Sequence, residues 1–258
     1  MDSLVYGLCT LVGMTGTAHA VREVWRQRRR AEYRVARGAR IVASGLCTIG
    51  VILCIPLVED AVESVADMNN VARLAAHACF IITCGSIQVM LVDWSYTPES
   101  LTAKLYTRTA FTFCVVAALV SLFIATTGED VEFTTQYAAT PGVTIYLMVY
   151  LAYLAVTFAE VTYFCSGMAV SAHKSGHIRS ATGLGMSAVA AVLGIVFTAS
   201  KGSYLMTRHF GHPWSLRAEK LASPVLAGLT MIMLTVGLIM AAAGRRVQPE
   251  QASASTLG

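Results

Sequence analysis

The chain has 258 residues, 55% of them apolar and only 13% charged, with a net charge of +4; soluble domains run at ~45–50% apolar and ~25% charged. That balance excludes an ordinary soluble domain, and with the arginines confined between apolar stretches no nucleic-acid partner is expected. Fifteen arginines against four lysines, with abundant alanine, indicate a high-GC, bacterial source. All seven cysteines (Cys9, Cys47, Cys54, Cys79, Cys84, Cys114 and Cys165) fall in apolar stretches, where cysteine acts as a small hydrophobe and no disulfide framework is expected.

Seven apolar stretches follow one another at about 3–20, 41–58, 74–92, 109–127, 142–170, 181–200 and 223–243. Each is close to the ~20 residues that cross a ~30 Å hydrocarbon layer. Asp2 precedes the first and eight arginines follow it between Arg22 and Arg40. A cleavable signal peptide has the opposite charge order, so the first span reads as a reverse anchor with its N-terminus outside. The basic stretch alternates arginine with Val24, Trp25, Tyr33 and Val35. It reads as a topology determinant with its rings among headgroups, or as a cytoplasmic segment binding anionic lipid or a protein through Arg26, Arg28, Arg29 and Arg30.

The second span leads into an acidic loop with Glu59, Asp60, Glu63 and Asp67, and the fourth into another with Glu129, Asp130 and Glu132. The third span carries Arg73, His77, Cys84 and Gln88 at spacings of four, seven and four, which share a helix face. The fifth carries Tyr146, Tyr150, Tyr153, Thr157 and Glu160 at spacings of four, three, four and three, again one stripe. In the sixth, Gly183, Ser187, Ala191, Gly194 and Thr198 make a slim face, matched at the end of the seventh by Gly237, Ala241 and Gly244. Such faces let helices pack closely without any ligand. The loop from Lys201 to Lys220 between these spans is basic and aromatic; it is expected to pair with the two acidic loops, with an anionic ligand as the rival.

Lysines and arginines divide 14 to 5 between alternate sides, the 14 falling with the first basic stretch. The positive-inside rule then gives an N-out, C-in protein. Residues 1–246 form one seven-helix transmembrane domain, all-α, and the polar, small-residue segment 247–258 reads as a disordered cytoplasmic tail.

Polar groups are costly in hydrocarbon, so function is sought among them. Glu160 reads as the one carboxylate well inside a span, in the cytoplasmic half and level with Gln88. It is expected either to pair with Lys104, Arg108 or another basic residue and lock helices together, or to exchange a proton and couple it to a conformational change. Around it Tyr150, Tyr153, Gln88, His77 and Arg73 are the candidate ligand or proton-coupling residues. His173 with His177 and His209 with His212 lack carboxylates or cysteines at metal-ligand spacing, so neither a metal nor another cofactor is expected. No phosphate-binding glycine loop, HExxH or nucleophile elbow occurs, and the chain is read as no enzyme. The seventh span has no lysine for a retinal Schiff base, and the third ends Asp93-Trp94-Ser95 rather than in a receptor-type Asp-Arg-Tyr.

Arg179, Gly183, Leu184, Gly185, Gly194, Lys201 and Tyr204, with the Arg-rich first inner loop and short connections, resemble the actinobacterial seven-helix membrane proteins catalogued as transporters. That resemblance implies the fold and a bacterial plasma-membrane host; the activity of that family is not established. The first functional expectation is a membrane sensor or scaffold acting through a cytoplasmic protein partner at Arg22–Arg40. The second is a small-solute or proton-coupled transporter using Glu160 and the polar faces of the third and fifth spans. The bilayer is a partner in either case, and oligomerisation is left open.

Overall fold

A computed structural model describes residues 2–26, 34–96, 98–126, 140–211 and 215–244. Arg28, Arg29 and Arg30, the acidic residues at 129–132 and the expected tail at 247–258 lie outside them. The described chain is all-helical: α1 (Asp2–Arg26), α2 (Arg34–Leu53), α3 (Pro56–Ala66), α4 (Val71–Ser95), α5 (Pro98–Thr126), α6 (Pro141–Lys174), α7 (Ile178–His209) and α8 (Leu216–Gly244). Six of these, α2 and α4 through α8, are long and apolar enough to cross a membrane. This is the architecture of a multi-pass membrane protein. In it the backbone N–H and C=O groups away from the helix ends are satisfied within their own helix, as hydrocarbon demands. The first expected span forms α1, of 25 residues, and is not among the six.

Helix boundaries follow local chemistry. Proline stands at the start of α3 and of α6, where its missing N–H is no loss. Between α6 and α7, Gly176 adopts φ +75, and the His177 and Gly176 N–H groups donate to the carbonyls of Ala172 and His173. That pairing is a Schellman motif, which needs a left-handed residue and hence favours glycine. Asp67 and Asn70 take positive φ in the turn between α3 and α4, a conformation their short polar side chains tolerate.

The helices are longer than the apolar stretches suggest. The 34 residues of α6 reach about 51 Å at ~1.5 Å each, well beyond a ~30 Å core. Helix α7 continues through Lys201 to His209, and α8 starts at Leu216, which places Pro224 inside a helix rather than at its end. The segment expected as one basic loop is thus mostly the ends of two helices. The acidic segment after the second span is also no loop: α2 stops at Leu53 and α3 carries Glu59, Asp60 and Glu63.

Helix α2 packs on α1 and α4, α6 on α4 and α7, and α8 on α7 and back on α1, closing a ring. Helix α5 lies against α4 and α6 from outside that ring, and α4 is the most enclosed span. The tightest seam is α7–α8. A Cβ on Gly183 would meet the Ala241 nitrogen at 2.5 Å and the Gly237 oxygen at 2.7 Å, and one on Gly244 would meet Ser180. The small-residue faces of the two helices therefore meet backbone to backbone. The α1–α2–α4 end, with the basic stretch, is called the Arg-rich end below.

Candidate functional site

Three helices meet in a polar ring toward the Arg-rich end. The Glu160 carboxylate of α6 accepts from Arg108 Nη2 of α5 at 3.0 Å through Oε1 and from Gln88 Nε2 of α4 at 2.9 Å through Oε2. Tyr153, two turns before Glu160, donates to Gln88 Oε1 at 3.3 Å or shares a 2.8 Å hydrogen bond with Thr112 Oγ1. The Thr112 hydroxyl lies 2.8 Å from the Arg108 carbonyl. The ring thus leaves Arg108 by its side chain and returns to it by its backbone.

Proton counting limits the wiring of this ring. With one hydrogen each, Tyr153 and Thr112 cannot make all three of their contacts as donors. When Thr112 donates to the Arg108 carbonyl, Tyr153 donates to Thr112 or to Gln88. When Thr112 donates to Tyr153, Tyr153 is released to donate to Gln88.

Of the expected site residues, Glu160, Gln88 and Tyr153 are joined in the ring. Glu160 takes the ion-pair partner anticipated for it in Arg108, whereas Lys104 sits 5.7 Å from the centre of the Tyr96 ring. Glu160 and Arg108 retain 29% and 17% side-chain exposure, so the pair is not sealed off. Arg108 directly precedes the apolar run of peripheral α5, so the pair stands at an edge of that run rather than midway along it.

His77 and Tyr150 form a second group further along the same two helices. His77 Nδ1 is hydrogen-bonded to Tyr146 Oη at 2.9 Å, and its ring lies 4.3 Å from that of Tyr150. Tyr146, Tyr150 and Tyr153 are all buried. Arg73 joins neither group; its Nε pairs with Glu59 Oε1 of α3 at 2.5 Å. Lys201 pairs at 3.7 Å with Glu219, its neighbour across the α7–α8 hairpin, and Ser223 donates to the same carboxylate at 2.9 Å. The basic segment at 201–220 thereby partly neutralises itself, and the acidic residue Glu59 is taken by α4.

Glu160 is not alone as an enclosed carboxylate. Glu23 of α1 and Glu219 of α8 are both buried. Glu23 forms an ion pair with buried Arg40 of α2. Asp93 of α4 accepts the Ala36 N–H in the first turn of α2 at 2.9 Å through Oδ2, satisfying one of the donors that a helix start leaves unpaired. The α2 end of the basic stretch is therefore held by two carboxylates, one from α1 and one from α4. Arg26, at the last position of α1, is exposed.

A signal for the missed pair existed in the sequence: Glu23 is a lone acid among arginines, with His19 one turn before it. No group of three or more His, Cys, Asp or Glu residues suited to a metal ion occurs among the described residues. Compared with protein-family models, with curated proteins and with solved structures, the chain matches none.

Proposed function

We propose that this chain is a seven-span sensor or scaffold of the bacterial plasma membrane, with α1 as its first span, its N-terminus outside and its C-terminus cytoplasmic. Its output surface is the Arg-rich stretch from Arg22 to Arg40, with the exception of buried Arg40 itself, presented to a cytoplasmic protein partner. The observation that carries this reading is the Asp93 cap on α2. Through it the most enclosed helix, which also bears Gln88 and His77, holds the helix whose first turns carry the last arginines of the basic stretch. A displacement of α4 would reach the arginines of α2 through this hydrogen bond and through the packing of the two helices. The 14-to-5 charge division supports the orientation, and the Gly- and Arg-based resemblance supports an actinobacterial host.

The polar ring fits this reading as a lock. Both Glu160 oxygens are engaged, and the ring fastens peripheral α5 to α4 and α6. Its rival is proton-coupled or small-solute transport, favoured by the partial exposure of the Arg108–Glu160 pair.

The test is photo-cross-linking in bacterial membranes from an analogue placed at exposed Val35. An adduct is expected that disappears when Arg26, Arg28, Arg29 and Arg30 become glutamine, with orientation verified separately, and that survives Glu160→Gln. An adduct indifferent to those arginines would sink the sensor reading. Proton or solute flux in proteoliposomes abolished by Glu160→Gln would replace it with the transporter.

A further inference from the structure

Helix α3 starts only two residues after α2 ends. Two residues span at most about 7 Å, so a helix following a membrane span this closely stays at the bilayer surface. At about 100° per residue, Leu57, Ala61 and Val65 share one face, Val58, Val62 and Ala66 the adjoining one, and Glu59, Asp60 and Glu63 the opposite one. The apolar half is divided between two environments. Val58 and Val62 are half-buried where α3 meets α4 and α2, while Leu57 and Val65 remain 80% and 89% exposed.

We propose that α3 is an in-plane membrane helix whose Leu57–Ala61–Val65 face rests on the acyl chains just below the headgroups. A helix with one apolar face and polar residues beside it lies in the interface plane with the apolar face buried by ~5–10 Å. Asp60 and Ser64 are exposed beside that face and meet headgroups and water, while Glu59 and Glu63 are half-buried toward the protein. Glu59 on its flank pairs with Arg73 at the start of α4, so the surface helix is fastened to the enclosed span. This inference goes beyond the sensor reading and does not depend on it.

The experiment is methyl NMR on the full chain in phosphatidylcholine nanodiscs, with leucine and valine methyls labelled. Two relaxation agents are compared, a doxyl-labelled phosphatidylcholine and a membrane-impermeant gadolinium chelate. Exposed Val156, midway along α6, serves as the membrane reference. The Leu57 and Val65 methyls are expected to broaden with the doxyl lipid and to be spared by gadolinium. Broadening by gadolinium alone would place the face in water and overturn the proposal. Protection from both agents, with a doubled mass in solution, would give the face to a second copy and overturn it equally. If Val156 itself broadens with gadolinium, the membrane-spanning architecture falls and α3 with it.

Discussion

At the level of single residues, buried charges dominate the energetics. Glu23 and Arg40 lie together inside the protein, and removing one member of such a pair strands the other. Arg40→Met is expected to cost about 3–5 kcal/mol, whereas Arg40→Met with Glu23→Leu recovers most of that loss; thermal unfolding in detergent measures both. A smaller effect is expected at the ring. Tyr153→Phe removes the hydroxyl between Thr112 and Gln88, a net loss of about 0.5–1.5 kcal/mol. The same melts should show Glu160→Gln weaker than Tyr153→Phe in stability. The amide keeps one acceptor but loses the charge facing Arg108 and turns an NH2 toward the Gln88 amide. The sequence made Glu160, Gln88 and Tyr153 legible as neighbours because their spacings put them on facing stripes. Arg40 was not legible as a buried residue: among eight arginines its burial depends on where α1 and α2 cross, which no local pattern encodes.

Helices α7 and α8 show how much an element can ask of one residue. Gly183 meets backbone of α8, while Gly185, two positions on, meets nothing within 4 Å. Gly183→Ala must push the helices apart, at about 1–3 kcal/mol for overpacking. Gly185→Ala should be neutral or stabilising by up to about 1 kcal/mol, since alanine restricts the unfolded chain and suits a helix better. Comparing the two melts separates helix propensity from packing. The slim faces were readable in advance because glycine, serine and alanine recur at helical spacing. Helix ends were not: α7 runs past Lys201 and α8 begins before Pro224. Hydropathy marks where a helix leaves hydrocarbon, and nothing in that boundary stops the helix itself. Helix α3 was hidden for a related reason, because four acids over nine residues read as a solvated loop although the apolar residues between them keep a helical period.

For the whole molecule, the charge division predicts orientation and the structure supplies neighbours. Alkaline phosphatase fused after Arg246 should be inactive in a bacterial host, and fused in the 127–139 connection it should be active; the reverse pattern would invert the proposed topology. The all-helical, multi-pass class was legible from composition and span length alone, whereas the order of helices around the ring depends on side-chain fit. The Asp93 cap adds a constraint of time to this architecture. The first two helices leave the ribosome with their own ion pair, but the Ala36 N–H waits for a carboxylate made almost sixty residues later. The start of α2 therefore reaches its final seat only after α4 has been made, and assembly of this end runs against the order of synthesis.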